Sequence, residues 1–242
     1  MTLLPPNAAM ERAQDKQRSL LRFLRDNKWT TQENVQWLLG LRSRQAAHKT
    51  LARLESTGLV KRHRIDGLVG APLTIWGITV HGVMVSFGDG EPISDVRAFE
   101  PSKLSLVQIQ HHLGLQQVQI RMAAAGWHGW RREAVRSKNG IVPDAIVTHP
   151  NGWPVAIEYE RSLKSLRRYQ EILVGHLVAR KRGQYRDIYY LTPDERFRDR
   201  LLRMFAAIKT VRHQGETVKI TQELLAPFRF FHLASPFEHF ER

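Results

Sequence analysis

The chain has 242 residues, 42% of them hydrophobic and 25% charged, enough for a buried core and a composition that sets disorder aside over most of its length. Its 37 Lys and Arg against 23 Asp and Glu give a formal charge of +14 and a pI near 10.6, the balance of a protein that meets a polyanion, nucleic acid before an anionic membrane surface. With no cysteine, disulfides and thiolate metal sites are excluded.

The opening Met1-Thr2-Leu3-Leu4-Pro5-Pro6 lacks the basic start and apolar core of a signal peptide. Helical periodicity begins with Leu20, Leu21, Phe23 and Leu24, and resumes after Thr30-Thr31 with Val35, Trp37 and Leu38, ending at Leu39-Gly40. A third helix is predicted from Ser43 to Thr57, with Ala47, Leu51 and Leu54 on one face and Gly58 at its end. Two strand-like runs follow around Asp66-Gly67: Leu59 to Ile65, then Leu73 to Trp76. Three helices and a basic hairpin predict a winged helix-turn-helix over residues 1–88. In that reading the third helix turns Arg44, Gln45, His48, Lys49 and Arg53, and the hairpin turns Arg62, toward phosphates and major-groove base edges. A winged helix used for protein contacts, or a merely solvated basic face, is the alternative.

Gly67 to Gly88 is free of Asp, Glu, Lys and Arg, but Pro72, His81 and its glycines interrupt it. A buried strand and a helix capped by Thr79 are expected there in place of a membrane span, and a cytoplasmic protein with them. A linker is expected over 89–103 and a second domain over 104–242. Its predicted elements are a helix from Leu104 to Ala125, strands over Trp127–Arg136, Ile141–Thr148 and Pro154–Arg161, a helix from Ser165 to Arg180, a short strand Ile188–Leu191, and a helix over Asp194–Ala207. The order is α-β-β-β-α-β-α, an α/β (α+β) class with a mixed sheet flanked by helices. Residues 1–100 carry 14 basic against 10 acidic residues and the remainder 23 against 13, so the second part is the more strongly phosphate-facing.

Three carboxylates stand on the predicted hairpin: Asp144 after Val142-Pro143, and Glu158 and Glu160 beyond the His149-Pro150-Asn151-Gly152 turn. Strand alternation puts Glu158 and Glu160 on one face with Ile157 and Tyr159 on the other, and the neighbouring strand brings Asp144 alongside. Such a cluster holds its protons unless a positive charge lies within it. A divalent cation supplies that charge, and oxygen-only ligands select hard Mg2+ or Mn2+. The alternative is a solvated sheet edge on which the acids pair with Arg161, Arg167 and Arg168.

Element order, Pro143-Asp144 on the second strand and the acid pair on the third resemble the PD-(D/E)XK core of restriction-type endonucleases over residues 104–193. Glu160 stands where that family normally places a lysine that activates the attacking water. The Asp…Glu-x-Glu variant behind a winged helix is similar to the MobC-type plasmid mobilization relaxases, related to the replication-relaxation proteins. That resemblance implies that Asp144, Glu158 and Glu160 bind the metal and that the activity is site- and strand-specific nicking of double-stranded plasmid DNA at a transfer origin. It also makes an accessory mobilization or coupling protein a candidate partner. Lys164 is the candidate for the missing lysine, and Arg161, Arg167 and Arg168 hold the DNA backbone or neutralise the acids.

The His-hydrophobic-His motif and early tyrosine of the commoner relaxases are missing, since His111 and His112 are adjacent and no Tyr precedes Tyr159. The two histidines are read as packing or surface groups, Tyr159 as facing away from the acids, Tyr169 as helix core, and Trp127, Trp130 and Trp153 as core. A non-catalytic winged-helix accessory or regulator, and a nuclease subunit of a transposase or restriction system, are the competing functions. The segment from Ala206 to Arg242, with Phe228, Phe230, Phe231, Phe237 and Phe240, carries no functional signal.

Overall fold

The computed structural model describes residues 6–67, 71–132 and 141–235. The chain divides into two compact units, Met1–Ile109 and Gln110–Arg242.

In the first unit, α1 (Pro6–Asn27) buries Leu20, Leu21, Phe23 and Leu24, and the chain turns out of it through Lys28 at φ 70°. β1 (Trp29–Thr30) leads into α2 (Gln32–Leu38), whose first turn is held by the Thr31 hydroxyl accepting from Asn34 N–H. The same device starts α3 (Arg44–Ser56), where Ser43 accepts from Ala46 N–H. Along α3 the i, i+4, i+7 stripe of Ala47, Leu51 and Leu54 is buried against Leu20, Leu24 and Val35. Gly58, at φ 70°, ends the helix in the left-handed turn that only glycine adopts without strain.

β2 (Val60–Ile65) then pairs antiparallel with β3 (Leu73–Ile78), which takes the centre of a three-stranded sheet in the order β1-β3-β2. Residues 68–70, at the tip of that hairpin, lie outside the described set. α4 (Val80–Val85) is capped by Thr79 as expected. The stretch expected as a linker runs along this unit: Phe99 N–H donates to the Ile78 carbonyl at 2.9 Å, and its ring occupies the space a Cβ at Gly77 would need. Two short 3-10 turns follow, Pro101–Lys103 and Leu106–Gln108, the second of them at the beginning of the helix expected from Leu104.

The second unit follows the α-β-β-β-α-β-α order from α5 (Ile109–Ala124) through β4 (His128–Arg131), β5 (Ala145–Thr148), β6 (Pro154–Tyr159), α6 (Leu166–Lys181) and β7 (Asp187–Thr192) to α7 (Glu195–Ala206). The strand expected to reach Arg136 is seen to Arg131, with 133–136 outside the described residues. Four further elements lie beyond α7: the hairpin β8 (Thr210–His213) and β9 (Glu216–Lys219), a turn of helix α8 (Gln222–Leu225), and β10 (Phe228–His232). β10 joins the main sheet beside β7, giving the mixed order β10-β7-β6-β5-β4 with β10, β7 and β6 parallel and the rest antiparallel. Phe237 and Phe240 lie outside the described residues.

Helices cover both faces of this sheet. Ala145, Val147, Val155, Ile157 and Tyr159 pack on Leu115, Val118 and Met122 of α5. Ile146, Ala156, Ile188 and Tyr190 pack on Tyr169, Ile172 and Leu173 of α6 and on Leu201 and Phe205 of α7. β7, covered on both sides, is buried at all six positions, which is why its sequence runs apolar without alternating. Among the described residues no helix is long and apolar enough to cross a membrane.

Candidate functional site

The parity of β5 and β6 decides where the acids go. Ala145 pairs with Ile157 and Ile146 with Ala156, so Asp144, one residue before β5, stands opposite Glu158. One Asp144 oxygen accepts the Tyr159 backbone N–H at 2.8 Å, and the other lies 3.1 Å from His111 Nε2 on α5. Glu158 points to the α6 face, where its Oε1 is 3.1 Å from Nε2 of the fully buried His176. Those two atoms are close but not aligned as a hydrogen bond, and Oε1 has no other partner. Burial pushes the Glu158 carboxyl up; His176 and Lys164 pull it down, and Asp144 adds to the rise.

Glu160 lies just past β6, and its N–H bonds the Leu191 carbonyl at 2.9 Å, so it keeps the strand's alternation and shares the α6 face with Glu158. It is ion-paired to Lys164, four residues on, and accepts from Tyr169 Oη at 3.3 Å. Burial and the Glu160 charge push the Tyr169 phenol up to about 12. Tyr190, opposite Glu158 in the β6–β7 register, buries a hydroxyl that has no hydrogen-bond partner. Tyr159 packs on the opposite face, with its ring 5.7 Å from that of His111.

Each carboxylate therefore has its own basic neighbour: His111 for Asp144, His176 for Glu158, Lys164 for Glu160. The arginines expected to neutralise them lie elsewhere. Arg167 and Arg168 pair with Glu171 at 3.6 and 2.8 Å, and Arg161 is exposed. The two histidines on the acids were not singled out from the sequence as their partners. The available signal was periodic: His176 continues the 169, 172, 173 stripe of α6, so an imidazole lies on an apolar face. Trp127 is core, while Trp130 and Trp153 are half-buried beside the same cluster.

Among the described residues no three His, Asp or Glu side chains converge on one point as a metal cage. The donor set nonetheless suits a hard cation. Asp144 and Glu158 stand at opposed positions of neighbouring strands, close enough for the Asp144 charge to raise the Glu158 carboxyl, and Mg2+ is commonly held by one or two carboxylates with water and phosphate completing its shell. Asp144 and Glu158 could hold such an ion, with Glu160 reserved for Lys164.

In the first unit α3 exposes Arg44, Gln45, His48, Lys49 and Arg53 opposite its buried stripe. β2 exposes Lys61, Arg62 and Arg64, and the Arg62 N–H is tied to Glu55 of α3 at 2.8 Å.

The chain is thus a mixed α/β protein with Asp144 and Glu158 at opposed positions of adjacent strands. The replication-relaxation family model matches residues 21–199, most of the chain, and the protein belongs to that family. Membership points to a role in plasmid replication or relaxation. No curated protein matches the chain, and no solved structure does.

Proposed function

We propose that the protein is a divalent-metal-dependent DNA endonuclease that nicks one strand at a plasmid transfer origin. The first unit is then a winged helix-turn-helix whose α3 enters the major groove, with Arg44, Gln45, His48, Lys49 and Arg53 at the bases and phosphates and Arg62 on the flanking backbone. The second unit is a PD-(D/E)XK-type core. The observation that carries this reading is the opposition of Asp144 and Glu158 across β5 and β6, with Glu160 and Lys164 at the end of the same strand.

Asp144 and Glu158 would hold Mg2+ or Mn2+. When bound, such an ion offsets phosphate charge and acidifies water. The chain's own residues do the rest. The Tyr159 N–H and His111 fix the Asp144 carboxylate. Lys164, two-fifths exposed and anchored on Glu160, is within reach of solvent to orient the attacking water. As the water oxygen bonds to phosphorus, the bond to the departing sugar oxygen breaks, and no protein nucleophile is needed. Arg161, Arg167 and Arg168, all exposed, lie on the segment leading into α6 and its first turn, placed to hold the DNA backbone.

Relaxation of supercoiled plasmid in Mn2+ or Mg2+ tests this. Wild-type protein yields open circles; Asp144→Ala and Glu158→Ala abolish nicking and leave DNA binding within a few-fold. Full nicking by either variant removes the site. A second reading, a non-catalytic DNA-binding accessory, draws on the fact that each acid already has a basic neighbour. A closed plasmid under every metal condition would favour it. Linear product would favour a double-strand-cutting subunit.

A further inference from the structure

His176 lies on the apolar face of α6, fully buried, and the chemistry above does not use it. Burying an imidazole is costly unless both ring nitrogens find partners. Nδ1 lies 2.8 Å from Tyr185 Oη and Nε2 lies 3.1 Å from Glu158 Oε1, so the ring spans the gap between a phenol in the turn before β7 and a carboxylate on β6. Tyr185 Oη and Nδ1 share one hydrogen bond, with the phenol as donor in the tautomer that carries the ring proton on Nε2. In that tautomer the Nε2 proton is directed at Glu158 Oε1.

We propose that His176, bridging Tyr185 and Glu158, is a positioning residue that holds Oε1 of Glu158 and leaves Oε2 for a divalent cation shared with Asp144. The inference rests on the metal-site reading above and adds a second layer to it. Ligands to metals are oriented by such outer partners, whose loss weakens metal affinity by about 10- to 100-fold. The competing role is packing alone, since the His176 ring also lies edge-on to those of Tyr190 and Phe228, at 6.3 and 6.0 Å. Packing predicts a lower melting temperature with unchanged metal affinity.

The test is calorimetric titration of the full chain with Mn2+ in the absence of DNA. Wild-type protein is compared with His176→Phe, His176→Gln, Tyr185→Phe and Glu158→Gln, and metal-free DNA binding reports on the fold. His176→Phe should bind Mn2+ about 10- to 100-fold more weakly. His176→Gln, whose amide can donate to Oε1, should recover most of that loss, and Tyr185→Phe should fall between. Adding His176→Phe to Glu158→Gln should cause no further loss, because the histidine acts through the carboxylate. Should His176→Phe fail to fold, Tyr185→Phe, which removes one oxygen atom, carries the test alone. Equal Mn2+ affinity in wild type, His176→Phe and Tyr185→Phe overturns the positioning role and leaves the metal site standing. A wild-type protein that binds no Mn2+ overturns both.

Discussion

His112 follows the histidine that touches Asp144, and burial, with Arg132 and His111 adding to it, holds its imidazole down to about 4 from 6.5. The folded chain thus refuses a proton that the unfolded chain accepts below pH 6.5. Stability from this group is complete above that pH and is lost as pH falls toward 4. With its partial exposure taken into account, the loss is about 1 to 2 kcal/mol. Thermal unfolding followed from pH 7 to 4 should show it, and His112→Asn should flatten that part of the profile; an unaltered slope would show that the imidazole is solvated. At this scale much of the site could be read from the sequence. Alternation alone places Glu158 and Glu160 on one face and Tyr159 on the other. The partners of the acids could not be read, because His111 and His176 reach them from helices 33 and 18 residues away in sequence. No local pattern encodes which face of a helix will meet which strand end.

Among the elements, α5 approaches β6 closely at Gly114, where a Cβ would enter the Tyr159 ring. Gly114→Ala should therefore cost about 1 to 3 kcal/mol through overpacking, despite alanine's better helix propensity. Since the Tyr159 N–H holds Asp144, the same change should weaken Mn2+ binding; a stable variant with wild-type affinity would mean that the ring can retreat freely. Helices with an apolar stripe and a Ser, Thr or Asp cap were legible: α3, α6 and α7 begin within two residues of their predicted starts. α5 was overextended, because Leu104 and Leu106 continue its apolar count while Pro101 and Ser105 organise separate short turns. β8, β9 and β10 went unread. Phe228-Arg229-Phe230-Phe231-His232 becomes a strand only by pairing with β7, and that pairing is a tertiary event.

For the molecule as a whole, the +14 charge makes the proposed DNA binding sensitive to salt. About six phosphate contacts give a log-log slope near −5 on duplex DNA, and a flat response in filter binding from 50 to 200 mM salt would show that the basic surface serves another purpose. The two units also differ in how far along the chain their contacts reach. The three-stranded sheet of the first is complete once Ile78 is in place, whereas the five-stranded sheet carrying the acids gains its last strand only at Phe228–His232. During synthesis, the first unit can leave the ribosome and fold while β7 still presents an open edge to solvent. A nascent chain stalled before β10 should accordingly be digested by protease in its second half and spared in its first, so that the exposed basic helix α3 is in place before the acidic strand pair is secured.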